Sequence, residues 1–262
     1  MKIVRLQFPD GPGFGEWEKD SDLVHRLRAA PWETLGRAER TGEAVEAHAA
    51  SFLVPVVPTK ILGIGRNYRA HIAELGNEPP KEPMVFLKTP SSLLAHGGTV
   101  LLPPEAGRVD FEGELALVIG RRARHVPKER WRDVVCGITC ALDITARDLQ
   151  KRDGQWWRAK GSDTFCPLGP VIETEFDPAD LLLETRVDGI LLQSARTSAM
   201  LFDVATLIAF VSAAVTLEPG DVILTGTPEG VAPLVAGQRL AVTIEGVGTL
   251  EATVDSAPAP PL

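Results

Sequence analysis

Only three cysteines, three methionines and one tyrosine occur among the 262 residues, and aromatic residues make up 6%. Cys136, Cys140 and Cys166 are odd in number. They have neither Cys-x-x-Cys spacing nor a histidine partner, which argues against a disulfide framework and a zinc site. Cys136 and Cys140 read as small buried hydrophobes, and a reducing cytoplasm is the expected compartment. No apolar run approaches the roughly 20 residues that span a bilayer, and Met1–Phe8 is too short and too charged for a signal peptide. Positive charge is in deficit: 27 Lys and Arg stand against 35 Asp and Glu, a net charge of -8. Nucleic acid and an anionic membrane are therefore poor partners. Gly63-Ile-Gly65 lacks the third glycine and the acid of a dinucleotide fingerprint, and no Gly-Lys-Ser/Thr follows Gly226 to make a P-loop. There is no Gly-x-Ser-x-Gly nucleophile elbow.

Apolar residues are plentiful, at 44%, enough for one large domain or a large and a small one. Met1–Phe8 reads as a strand, Pro9–Gly13 as a turn and Phe14–Glu18 as the returning strand. Pro31–Ala50 is acidic and alanine-rich, helical or irregular in pattern. Two prolines interrupt Phe52–Pro58. The expected division is a small N-terminal domain over 1–54, a catalytic domain over 55–255 and a disordered tail over 256–262. Within the second part, Lys60–Gly65, Met84–Lys88 and Leu115–Ile119 read as strands, and Asn67–Leu75 as a helical turn. Pro127–Val134 reads as a short helix and Ala159–Phe165 as a loop. Asp188-Gly189 marks a hairpin between Leu182–Val187 and Ile190–Ser194. Asp203 caps a helix over Val204–Thr216 that is apolar nearly all round and expected to be buried. Asp221–Leu224 is a strand, and Gly237–Val254 a hairpin. Many strands without a βαβ rhythm indicate a mainly β, α+β fold.

Two acids one residue apart, Glu112 and Glu114, precede and enter the apolar run Leu115–Ile119. On a strand, positions i and i+2 share a face. Two like charges there repel, and a divalent cation relieves them. Gly113 between them leaves room for backbone on the opposite face. Taken alone, two surface acids at a solvated strand end account for the pair as well. Asp143 adds a third acid, inside the β-branched run Cys136–Thr145, where Asp is depleted. A strand-end cap is its alternative role. Three carboxylates without His or Cys make an all-oxygen site, suited to Mg²⁺ or Mn²⁺, admitting Ca²⁺ and disfavouring Zn²⁺. His71 and Glu74, three apart on a helical turn, share a face. They form either an exposed surface pair or a general base whose tautomer the carboxylate holds.

Five segments, in order, carry a family resemblance: Lys60–His71 (KILGIGRNYRAH), Glu82–Pro90 (EPMVFLKTP), Asp110–Leu115 (DFEGEL), Asp143–Asp153 (DITARDLQKRD) with Trp156 and Lys160, and Leu224–Gly230 (LTGTPEG). Together, over about Pro58 to Asp255, they resemble the fumarylacetoacetate hydrolase family. The resemblance implies a mixed β-sandwich roll with a small N-terminal domain, and commonly a homodimer. It implies Glu112, Glu114 and Asp143 as ligands of Mg²⁺, with Mn²⁺ or Ca²⁺ as alternatives. It further implies His71 and Glu74 as a dyad on a lid, and Lys160 as a cation at the metal site. Thr227 is the implied substrate-contacting threonine. Arg147 and Gln150 are expected to face the same cleft. Arg66 and Lys88 are expected to meet a substrate carboxylate, and Tyr68 either substrate or lid packing.

The activity implied is enolate chemistry on a 2-oxo or 2-hydroxy-dienoate dicarboxylic acid chelated to the metal. The likeness is nearest to the 2-hydroxyhepta-2,4-diene-1,7-dioate isomerase and acylpyruvate hydrolase branch, in aromatic-compound catabolism. The preferred reading is the isomerase. A fumarylpyruvate-type hydrolase and an oxaloacetate decarboxylase are the alternatives within the family, and a non-catalytic metal-binding module the alternative outside it.

Overall fold

In the computed structural model the residues described are 1–18, 21–33 and 38–258. Buried and solvated residues alternate along Leu182–Val187, Arg239–Ile244 and Gly248–Ser256, and a few parallel pairs among antiparallel ones make both large sheets mixed. The largest sheet runs, from one edge, through Arg40–Glu46, Leu23–Leu27, Gly11–Trp17, Lys2–Phe8, Cys166–Glu173, Val135–Leu142, Gly113–Ile119, Val222–Leu224, Ile61–Gly65 and Met84–Lys88. A second sheet orders Ile190–Arg196, Leu182–Val187, Arg239–Ile244, Gly248–Ser256 and Thr99–Leu102. Phe111, Leu115, Leu117, Leu183, Val242 and Leu250 belong to one buried cluster, so the two sheets share a core. Gly113–Ile119 and Val135–Leu142 are buried almost throughout, which is why they read as continuous apolar runs rather than alternating ones.

Among the described residues, four short α-helices punctuate the strands: α1 (Arg69–Glu74), α2 (Arg147–Arg152), α3 (Trp157–Gly161) and α4 (Val204–Ala214). The Asp203 carboxylate accepts from the Thr206 N–H and caps α4. At the Asp188-Gly189 turn both residues have positive φ, 50° and 80°, the geometry that a two-residue hairpin needs. Among the described residues, no helix is long and apolar enough to cross a membrane.

Some elements differ from expectation. Within Pro31–Ala50, Arg40–Glu46 is a strand, paired to Leu23–Leu27 at the sheet's edge; the rest of that segment includes 34–37, outside the described residues. Its sequence, RTGEAVE, is mostly exposed, so it never had the alternation that marks a half-buried strand. Helix α4 ends at Ala214 and buries one face, with Val204, Leu207, Ile208, Val211 and Ser212 inside. Ala213 and Ala214 are exposed, because alanine fits a solvated helix face as readily as a core. Cys136 is half-buried, whereas Cys140 is buried. The last strand extends to Ser256, and the Ala257 N–H donates to the Leu102 carbonyl. The tail expected beyond it falls at 259–262 outside the described residues.

Candidate active site

Antiparallel register assembles the acids. Gly113 pairs with Leu142, and Asp110 with Thr145. Residue 112 therefore stands opposite residue 143, and the Asp143 N–H donates to the Glu112 carbonyl at 2.8 Å. The carboxylates of Glu112, Glu114 and Asp143 offer oxygens that all lie within 4.8 Å of one another, and all three residues are buried. Gly113 lies between two of them without a side chain for a steric reason. A Cβ there would stand 1.9 Å from Thr185 Oγ1.

Two lysines offset part of this charge. Lys160 Nζ lies 2.7 Å from Glu112 Oε2 and 2.6 Å from Asp143 Oδ2. Lys88 Nζ lies 2.6 Å from Asp143 Oδ1 and also donates to the Lys160 carbonyl. Arg147 reaches Glu112 Oε1 at 2.7 Å and Asp110 Oδ2 at 2.8 Å. Glu114 makes no ion pair among the described residues and feels Lys160 only at a distance; its Oε2 accepts from the Gly226 N–H at 2.5 Å. Burial, then Asp143 and Glu112, push the Glu114 carboxyl well above its ordinary range. Burial acts the same way on Glu112, but Lys160 and Arg147 outweigh it and hold that carboxyl low. Burial would lower the Lys160 ammonium, yet Asp143 and Glu112 raise it. The all-oxygen donor set fits a hard divalent cation. Glu114, unneutralised beside two other carboxylates, is the residue that such a cation would relieve.

A cavity of about 420 Å³ opens over Glu112 and Glu114. His71, Lys160, Arg147, Gln150, Thr227 and Arg66 line it, with Ile64, Leu75, Met84, Phe86 and Trp156 as apolar walls. Trp156 and Phe86 are in aromatic contact at 5.6 Å, and Lys160 Nζ lies 4.9 Å from the Phe86 ring centre. His71 is only 4% exposed. Its Nδ1 lies 3.0 Å from Glu74 Oε2, and Glu74 Oε1 accepts from the Gly230 N–H at 2.9 Å. That leaves His71 Nε2 as the nitrogen without an assigned partner. Helix α1 stands on Asn67, whose buried amide donates to the carbonyls of Thr225 at 2.7 Å and Phe202 at 3.1 Å. Left-handed residues flank the helix, Arg66 at φ 57° and Gly76 at φ 64°.

The residues expected from sequence do not all reach the cavity. Lys88 is 2% exposed and is absent from the lining. It serves Asp143 from behind rather than meeting a substrate carboxylate. Tyr68 is buried at the start of α1, forms a bridge with Met200 and leaves its hydroxyl without a partner. Burial, then the charges of Glu114 and Glu229, raise that phenol above its ordinary range. Lys160 comes from the helix α3, not from a loop. A turn this short, with Gly161 at its end, carries too little periodicity to be seen in sequence. Sequence reasoning did not single out Asp110, which holds Arg108 and Arg147 together, or Asn67. A carboxylate between Val109 and Phe111, on the face shared with Arg108 and Glu112, was the available signal for the first. His96 lies on a loop and accepts from the Glu251 N–H.

Residues 60–255 match the model of the fumarylacetoacetate (FAA) hydrolase C-terminal family. Residues 1–55 match a second model, Rv2993c-like, N-terminal. Protein Rv2993c of Mycobacterium tuberculosis is 44% identical over 257 residues, 95% of this chain and 96% of that protein. The oxaloacetate tautomerase YisK of Bacillus subtilis is 40% identical over 251 residues, 89% of this chain and 82% of that protein. Among solved structures, a 2-hydroxyhepta-2,4-diene-1,7-dioate isomerase from Mycobacterium marinum is similar with a TM-score of 0.90 and 40% identity, covering 99% of this chain and 100% of that one. Maleylpyruvate hydrolase from Sphingobium sp. SYK-6, in complex with manganese (II) ion and pyruvate, has a TM-score of 0.80 and 33% identity, covering 98% and 100%. With its carboxylate cluster and a family match over 60–255, this chain belongs to the fumarylacetoacetate hydrolase family.

Proposed function

We propose that the chain is a divalent-metal-dependent isomerase that moves a proton on the enol of a 2-oxo dicarboxylic acid, with 2-hydroxyhepta-2,4-diene-1,7-dioate as the preferred substrate. The observation that carries this reading is that His71, held through Nδ1 by Glu74, lines the same cavity as Glu112 and Glu114. Mg²⁺ is the proposed cation, with Mn²⁺ or Ca²⁺ as alternatives, held by Glu112, Glu114 and Asp143. When bound, it supplies Lewis acidity to the oxygens of a 2-oxo acid.

The protein's own groups carry the rest. Glu74 holds His71 Nδ1, which fixes the tautomer and leaves Nε2 to face the substrate as the base. His71 takes the proton of the enol hydroxyl and returns it to C5 of the 2,4-diene, leaving a 2-oxo-3-ene. One O–H bond is lost and one C–H bond gained, and no carbon–carbon bond breaks. Lys160 offsets negative charge as it develops on the substrate oxygens. Met84, Phe86 and Trp156 give the unsaturated chain an apolar wall. Arg66, for which no ion pair occurs among the described residues, is free for the distal carboxylate.

Relatives described as a tautomerase, an isomerase and a hydrolase support an enzyme, and proton transfer is common to the first two. The test follows ultraviolet absorbance of oxaloacetate, acetylpyruvate, fumarylpyruvate and 2-hydroxyhepta-2,4-diene-1,7-dioate, with Mg²⁺ or Mn²⁺ and with EDTA. EDTA-sensitive loss of the diene band without pyruvate release is expected. Pyruvate release from an acylpyruvate would replace the isomerase with a hydrolase. Carbon dioxide release from oxaloacetate would make it a decarboxylase. Turnover of none would favour a non-catalytic metal-binding module.

A further inference from the structure

One buried amide from the second sheet reaches the backbone between two of the acids. Gln193 lies on the strand Ile190–Arg196 and is fully buried. Its Oε1 accepts from the Gly113 N–H at 2.9 Å, and its Nε2 donates to Thr227 Oγ1 and to the Pro228 carbonyl, both at 2.8 Å. The Thr227 hydroxyl in turn donates to the Gly113 carbonyl at 2.9 Å. Gly113 is the residue between Glu112 and Glu114, so its peptide groups on both sides are held by this ring of bonds.

The same turn serves both halves of the site. At one end the Gly226 N–H holds Glu114, and at the other the Gly230 N–H holds Glu74, the partner of His71. Gly230 has φ 97°, and a Cβ there would lie 2.0 Å from the Leu192 carbonyl. The turn is therefore seated on the residue preceding Gln193. A loop exposed to the cavity gains one fixed position from a strand that does not line it.

We propose that Gln193 is a positioning residue: through Thr227 and Pro228 it locks the Gly226–Gly230 turn, and with it registers the Glu112–Glu114 segment against the His71–Glu74 dyad. This rests on the reading of Glu112, Glu114 and Asp143 as cation ligands. An amide is needed because the site asks for an acceptor and a twofold donor at once. Leucine fills the volume with neither, and glutamate, held neutral by burial beside the acids, keeps the acceptor but has one donor where two are needed.

The test is Mn²⁺ affinity by calorimetry for the wild type, Q193L and Q193E, with hydrogen exchange on the metal-free proteins. Loss of a group that orients a metal ligand weakens binding about 10–100-fold, and that is expected of both variants. Faster exchange is expected over 110–115 and over 226–230 together, since one pin serves both. At saturating Mn²⁺, kcat is expected to stay depressed, because the dyad is displaced as well. Wild-type Mn²⁺ affinity in a folded Q193L would overturn the proposal. If Q193L does not fold, the isosteric Q193E decides by the same comparison. A wild type that binds no Mn²⁺ would refute the ligand reading underneath, and the proposal with it.

Discussion

Replacing Lys160 by Met isolates the electrostatics of the carboxylate cluster. The Lys160 side chain is 3% exposed and touches two carboxylates, at 2.7 and 2.6 Å. Methionine fills similar space without charge. Glu112 and Asp143 would then share Lys88 and Arg147 with Glu114 still uncompensated. Removing one partner of a buried ion pair costs about 3–5 kcal/mol. For a protein of this size, each kcal/mol shifts Tm by roughly 2–4 °C. The metal-free variant should therefore melt about 6–20 °C below the wild type. A divalent cation should restore much of that loss, since saturation at a hundredfold excess over Kd adds about 2.7 kcal/mol. The removed ammonium no longer competes for the same oxygens, so the rise in Tm with metal should be larger in the variant. Thermal melts in EDTA and in Mn²⁺ test both statements. Metal-free K160M melting within about 2 °C of the wild type would refute the account of the cluster as strained by its own charge.

Glu114→Gln should abolish Mn²⁺ binding and turnover, measured by calorimetry and the absorbance assay. Its effect on metal-free stability should depend on pH: a carboxyl raised on folding stabilises at acid pH and loses that contribution as pH rises through its folded value. The variant should therefore be the more stable protein in EDTA at alkaline pH, and urea titrations should show the gap closing on acidification. His71→Ala and Glu74→Gln should lower kcat by about 10²–10⁴ while keeping Mn²⁺ affinity; an unchanged kcat would remove the dyad from the reaction. Gly113→Ala forces a Cβ to 1.9 Å from Thr185 Oγ1 and should cost about 1–3 kcal/mol in urea unfolding, with weaker Mn²⁺ binding as the ligand segment shifts.

The acids were legible because charge inside an apolar run has few explanations. Their convergence was not, since nothing local states that residue 112 stands opposite residue 143 across a 15-residue excursion between the strands Gly113–Ile119 and Val135–Leu142. Lys88 shows the limit of strand logic. It shares a face with Phe86, which lines the cavity, yet its ammonium ends behind Asp143. Position along the strand, not face, decided the outcome. Gln193 carried no signal: a lone amide after three exposed aliphatics looks like a surface residue until the second sheet is folded against the first. The strand Arg40–Glu46 was hidden for the opposite reason, because an exposed edge imposes no apolar period.

The antiparallel ladder that sets Glu112 against Asp143 also separates two kinds of genetic change. The connection at 120–134 closes the far end of the ladder, away from the acids. Residues inserted or deleted there lengthen or shorten an excursion and leave the pairing of 112 with 143 intact. A single deletion within 113–119 or 135–142 instead slips the register by one and turns every side chain beyond it to the opposite face. Length variation among descendants of this chain should therefore collect in the first interval and be absent from the other two.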